Sequence, residues 1–297
     1  MNRYRSAVLY IFAVAVFAAI AASTALAQDG RGQGARGQGA RGQGGRGQAG
    51  RGQAAGNGTP IRRLPDGKPD LSGYYSANSG GANYGLERHD RDFLTPGTQG
   101  VIVDPPDGKL PYQDWSRAEH ADRELPHRGY DDPTAHCFVA GVPRSMYTPS
   151  PYQILQPPGY VVILFERMSW RQIPLDNRPH LPENVRLWQG DSVGQWEGDT
   201  LVVDTTNLNG KTWLNEFGEI VTYAEHVVER FTPIDGNTLV YRATITDPVA
   251  YTRPWTIEMT LRRQDDELLE IACHEDNNDL QHLKEVRDAY RAEHKEK

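Results

Sequence analysis

The sequence predicts a mainly β fold: an antiparallel, up-and-down, lipocalin-like barrel of about eight or nine strands, with an irregular N-terminal extension and a C-terminal helix. Three observations predict it. From residue 151 onward, runs rich in β-branched and aromatic residues are separated by short acidic, glycine or proline turns. Within these runs apolar side chains alternate with polar ones, so each strand has one apolar face. Consecutive hairpin-linked strands also lose their exposed edges by closing on themselves. A two-sheet sandwich satisfies the same alternation.

The elements before the barrel come first in the chain. Residues 1–27 read as a secretory signal peptide: Arg3 and Arg5 precede the apolar run Ala7–Ala22, and "ALA" (Ala25–Ala27) is a small-residue cleavage site. No later apolar run reaches the length of a membrane span. The protein is therefore expected to be periplasmic or secreted. Residues 28–58 hold tandem Arg-Gly-Gln repeats, with no aliphatic side chain larger than alanine, and read as a disordered tail. Such a tail is an inert linker or a weakly basic tether for anionic envelope components. Setting aside Arg3, Arg5, Asp29 and the five tail arginines leaves 25 basic against 38 acidic residues from Thr59 on, a net charge of −13. That balance argues against a nucleic-acid partner.

Residues 59–150 are rich in Gly, Pro, Asn and Asp and read as an irregular extension packed on the barrel. Two elements stand out there, a short strand candidate in "PDGKPDLSGYYS" (Pro65–Ser76) and a helix over Asp114–Leu125, capped by Asp114 and ended by Pro126. Residues 151–279 supply the barrel, from "YQIL" (Tyr152–Leu155) to "LLEIACHE" (Leu268–Glu275), read as its last strand. Residues 280–297 form a charged helix whose stripe of Leu280, Leu283, Val286 and Tyr290 is expected to face the barrel. Cys137 and Cys273 are the two cysteines of the chain, and in an oxidising compartment they are expected to form a disulfide.

Candidate chemistry concentrates in a few places. "RQIPLDNRPH" (Arg171–His180) gathers Arg171, Asp176, Arg178 and His180 in a proline-stiffened loop, suited to the mouth of a barrel. Asp204 sits inside the strand "TLVVDTT" (Thr200–Thr206), where a carboxylate needs partners or a strand-end position. In "EHVVER" (Glu225–Arg230), His226 and Arg230 share one strand face, which points either into the barrel or outward. Tyr251, Arg253 and Trp255 lie in "DPVAYTRPW" (Asp247–Trp255), and Trp196 ends an earlier strand. The spacings of His120, His127 and His136 convert into no ligand set on one helix or hairpin, so no metal and no cofactor are expected.

Five blocks, "LPDGKPDLSG", "DPTAHCFVAGVPR", "RQIPLDNRPH", "GDSVGQWEGDTLVVDTT" and "DPVAYTRPW", cover essentially everything from Leu64 to about Glu275. In this order they resemble an uncharacterised family of exported bacterial β-rich proteins. The resemblance implies export and a β-rich fold, and no reaction. Where such proteins often carry a tryptophan soon after "PDLSG", this chain reads "GYYS", so the barrel expectation rests on the hairpins.

The expected function is an exported small-molecule-pocket protein with cofactor-free acid–base chemistry, of lyase, isomerase or hydrolase type, on an oxygenated organic compound. His180 would shuttle the proton, oriented by Asp176 or Asp204. Arg171 and Arg178 would stabilise developing negative charge, and Tyr251 would be a second acid. Trp196, His226, Arg230, Arg253 and Trp255 would contact the ligand, all of these groups converging on one enclosed space. The alternatives are a non-catalytic carrier of an apolar or aromatic ligand and a structural envelope module.

Overall fold

A computed structural model describes residues 58–294, apart from 92–95, 168, 266 and 276. The signal-peptide segment and the repeat tail up to Asn57 lie outside the described residues. The strands are β1 (Gly73–Asn78), β2 (Ile102–Asp104), β3 (Tyr152–Leu155), β4 (Tyr160–Phe165), β5 (Ser169–Pro174), β6 (Asp191–Glu197), β7 (Thr200–Thr206), β8 (His226–Pro233), β9 (Thr238–Thr246) and β10 (Trp255–Gln264). Two α-helices, α1 (Asp114–Arg123) and α2 (Asn278–His294), flank them. The strands form a nearly closed antiparallel nine-strand barrel in the order β5-β4-β3-β1-β10-β9-β8-β7-β6, and short β2 pairs with β10 outside that path.

The hairpins follow the alternation read from the sequence. In β9, Leu239, Tyr241, Ala243 and Ile245 point inward, and in β10 Trp255, Ile257, Met259 and Leu261 do the same. Two elements differ from expectation. The strand in "GYYSAN" belongs to the barrel, where β1 bridges β3 and β10 and so joins the two runs of hairpins. "LLEIACHE" is not a strand; it is the turn-rich segment that brings Cys273 to Cys137, a disulfide with a Cα–Cα distance of 5.7 Å. With β1 taking the place beside β10, no edge remained there for residues 268–275.

Closure follows from the strand count. Eight antiparallel neighbours lead from β5 round to β6, and an even number of reversals leaves those two strands running the same way. No backbone ladder joins β5 to β6 among the described residues, so side chains close this seam. Arg171 Nε donates to Ser192 Oγ across it at 2.9 Å. Gly194 lets the strands approach: a Cβ there would lie 2.8 Å from both Ile173 Cγ2 and Leu175 Cδ2. Parallel neighbours cannot be joined by a tight turn, which explains the long crossover, residues 175–190. Asn207, held at φ 60°, staples that crossover by donating Nδ2 to the carbonyls of Pro182 and Val185, both at 2.9 Å.

The barrel interior is filled. Tyr152, Phe231, Tyr241 and Trp255 pack there with aliphatic residues around one buried ion pair. Arg171 donates to both carboxylate oxygens of Glu229, Nη1 at 3.0 Å from Oε1, and Nη2 also donates to Thr205 Oγ1 at 2.7 Å. Tyr241 Oη donates to Glu229 Oε1 at 2.9 Å, completing a network in which the Glu229 side chain is 0% exposed. Such a network stabilises only because its polar atoms are satisfied together.

The helices differ from expectation in smaller ways. Gln113, not Asp114, occupies the N-cap of α1, and its side chain makes no capping bond. Helix α2 packs on the extension rather than the barrel: Tyr290 stacks on His127 with centroids 3.6 Å apart, Leu283 lies over Gly129, and Val286 is 45% exposed. No helix among the described residues is long and apolar enough to cross a membrane.

Candidate functional site

Of the residues singled out in the crossover, Arg178 and His180 come together with Asp191, Asp204 and His226, but on the outside of the barrel. Asp204 and His226 occupy outward positions of β7 and β8, because Val203, Thr205, Val227 and Glu229 take the inward ones. His180 Nδ1 lies 3.0 Å from Asp191 Oδ2, and its Nε2 lies 2.9 Å from Asp204 Oδ1. The other oxygen of Asp204 lies 2.9 Å from His226 Nε2. Arg178 donates to both oxygens of Asp191, and Leu181 N donates to Oδ2 at 3.0 Å. Burial works against the Asp191 carboxylate, yet Arg178, Leu181 N and His180 outweigh it and hold its pKa below the ordinary value. Both ring nitrogens of His180 are thus engaged by carboxylates, leaving neither for a substrate. The cluster pins the crossover to the barrel wall.

Other expected contacts are distributed elsewhere. Asp176 accepts the backbone N–H of Arg178 rather than orienting His180, which is held by Asp204, the other carboxylate expected beside it, and by Asp191. Arg171 is a core residue. Tyr251 is buried, donates its hydroxyl to Ile220 O at 2.7 Å, and packs against fully buried Trp255, so neither faces a ligand. Arg230 pairs with Glu197 and Arg253 with Asp104, both at the surface. Trp196 packs at the edge of the core with Lys68 Nζ 5.9 Å from its ring centroid. The expected convergence inside the barrel does not occur, because the interior is occupied by core side chains.

A second cluster lies between the extension and the barrel's end. The extension is strapped there through Gln113 N to Ala250 O at 2.9 Å and Thr252 N to Pro111 O at 2.8 Å. Helix α1 starts immediately afterwards. Arg117, His120, Ala121 and Glu124 fall at helical spacing on one face, and that face lines a cavity of about 780 Å³. Tyr112 and Glu219 line the same cavity. Glu219 comes from the β7–β8 connection, where Leu214 N donates to Glu219 O at 2.9 Å and Leu86 N donates to its Oε1 at 3.2 Å.

Three buried polar atoms in this wall have no hydrogen-bond partner among the described residues: Tyr112 Oη, His120 Nε2 and Glu219 Oε2. His120 Nε2 is 3.8 Å from Glu124 Oε1, too far for a hydrogen bond. Burial pushes Glu219 up to about 8, opposed by the bond from Leu86 N. Burial pushes His120 down to about 4, against the pull of Glu87. Tyr112 is raised well above its ordinary value by burial and by Tyr251, and Glu124 is raised by burial and by Glu87. Near neutral pH the wall therefore presents a protonated carboxyl, a neutral imidazole and a neutral phenol. His120 stacks on Tyr112 with centroids 5.2 Å apart, and Arg117 Cζ lies 5.7 Å from the Tyr112 centroid.

The sequence reading weighed His120 only as a metal ligand. The spacing Arg117–His120–Glu124 was the available signal, since it puts three ionisable side chains on one helix face. Nothing local marks Glu219. Fold and cavity together define a disulfide-linked β-barrel protein with a titratable pocket beside the barrel. No family model, curated protein or solved structure matches the chain.

Proposed function

We propose that the protein is an exported enzyme that performs proton-transfer chemistry, of lyase, isomerase or hydrolase type, on a small oxygenated organic compound in the cavity of Tyr112, His120 and Glu219. One observation carries this reading: three buried polar atoms, each without a hydrogen-bond partner among the described residues, share the wall of one cavity. Buried polar groups in folded proteins are almost always paired, and unpaired ones beside a cavity mark a place where a ligand completes the bonding. Glu219, with a pKa of about 8, holds its proton at neutral pH and delivers it to an oxygen of the substrate. His120 is neutral and hydrogen-bonds the reacting group, while the Tyr112 hydroxyl orients it. Arg117, on the same wall, stabilises negative charge developing on the substrate. Export accords with the sequence of residues 1–27 and with the disulfide.

The test is a screen of aryl esters, lactones and β-hydroxy carbonyl compounds with the native chain and Glu219→Gln. Turnover of a hit by the native chain, lost in a folded Glu219→Gln protein, is expected. Equal turnover by both would overturn the assignment.

A further inference from the structure

We propose a second binding site, for a neutral oligosaccharide, in the groove of about 680 Å³ that runs over the barrel seam, where Trp170, Tyr160 and Trp188 supply stacking faces and Gln189 an amide with no hydrogen-bond partner among the described residues. This site is separate from the cavity of His120 and Glu219, and shares no lining residue with it.

The aromatic side chains come first. Trp170 lies on the outward face of edge strand β5 and is 62% exposed, next to Gln172 on the same face. Tyr160 is also exposed, and Trp188 stacks on exposed Phe138 with centroids 4.7 Å apart and planes 12° apart. Two large exposed rings, Trp170 and Tyr160, beside the half-buried ring of Trp188 make an aromatic patch of the kind that marks a binding surface. The flat C–H face of a pyranose fits an indole ring, because its weakly positive hydrogens meet the negative π-face.

The second observation concerns Gln189. Its side-chain oxygen and nitrogen are both buried at the groove wall, and neither has a hydrogen-bond partner among the described residues. A primary amide offers two donors and an acceptor side by side, which matches the vicinal hydroxyls of a sugar ring. Leaving both atoms unpaired costs free energy that a hydroxylated ligand recovers.

Charge selects among sugars. The two arginines lining the groove are committed, Arg171 to Glu229 and Arg178 to Asp191. Asp176 adds a carboxylate. An anionic ligand would find no unpaired guanidinium here, so uronates and phosphorylated sugars are disfavoured. The groove is also held in shape beforehand: the His180–Asp191–Asp204 cluster and Asn207 fasten the crossover that forms one wall. That lowers the ordering cost of binding. An extended peptide adding to the edges of β5 and β6 is the competing occupant. It would have to part strands whose side chains already touch, through Arg171 with Ser192 and Ile173 beside Gly194.

The experiment titrates the full chain with cellohexaose, maltohexaose, mannohexaose and chitohexaose, using hexagalacturonate and a decapeptide of alternating Val and Thr as comparisons. Binding is read by calorimetry and by protection of tryptophan fluorescence from acrylamide quenching. At least one neutral hexasaccharide is expected to bind and to protect. Affinity should fall about tenfold or more in Trp170→Ala and in Gln189→Ala, and stay unchanged in Glu219→Gln. Trp170 is largely exposed, so its replacement leaves the fold intact, as circular dichroism would verify. No binding by any neutral hexasaccharide at millimolar concentration would overturn the proposal. So would preferential binding of hexagalacturonate or the peptide, or undiminished affinity in both groove variants.

Discussion

Replacing Glu219 with glutamine should stabilise the protein, and should do so in a defined pH window. The carboxyl of Glu219 is held at about 8 against an ordinary 4.5, so the folded chain keeps a proton that the unfolded chain releases. Stability contributed by such a group is fully present below pH 4.5 and is lost as pH rises to 8. His120 runs the other way: its folded value of about 4 lies below an ordinary 6.5, so its contribution is present above pH 6.5 and lost as pH falls towards 4. Each slope is about 1.36 kcal/mol per pH unit, so the two nearly cancel between pH 4.5 and 6.5. From pH 6.5 to 8 Glu219 acts without that opposition, and its contribution falls by about 2 kcal/mol. Glu225 is also buried and raised well above its ordinary value, so the comparison must be made between variants rather than from one curve. Urea unfolding of native and Glu219→Gln chains across this window measures the difference directly. The advantage of the variant should grow by about 2 kcal/mol from pH 6.5 to pH 8. Parallel stability curves for the two chains would refute the protonated-carboxyl argument.

Three other outcomes follow from the barrel. Gly194→Val should cost about 1–3 kcal/mol by forcing β5 from β6, and should raise hydrogen exchange of amides in both strands. Arg171→Met leaves Glu229 charged and buried without its partner, so a loss of about 3–5 kcal/mol is expected in urea unfolding. Arg171→Met combined with Glu229→Leu should recover much of that loss. Reducing Cys137–Cys273, whose sequence separation is 136, should remove about 5 kcal/mol by the chain-entropy argument and lower the Tm in a thermal scan.

The hairpins were legible because alternation is a local property: Leu239, Tyr241, Ala243 and Ile245 declare their shared face within one strand. The place of β1 was not, since its pairing with β10 joins residues nearly two hundred positions apart in the chain, as Tyr74 with Gln264 shows. The alternation also fixed that His226 and Glu225 point in opposite directions, but not which of them enters the barrel. Asp204 needed partners, as a carboxylate in a strand should, and it has His180 and His226. Arg171 was misplaced for a physical reason: a charged residue normally reads as surface, and only its match to Glu229 three strands away permits burial. The cavity was the least legible feature. His120 and Glu219 acquire their character from burial by segments distant in sequence, and burial leaves no mark in composition.

The odd number of staves has a mechanical consequence. A cylinder with an odd number of alternating neighbours can come full circle only if one junction breaks the alternation, and here that junction has no main-chain ladder among the described residues. Pulling the wall apart at this line ruptures side-chain contacts alone, whereas every other line requires tearing a hydrogen-bonded ladder. Under load or heat the molecule should therefore uncurl from Arg171 and Ser192 outward, with the rest of the wall peeling away as a continuous ribbon.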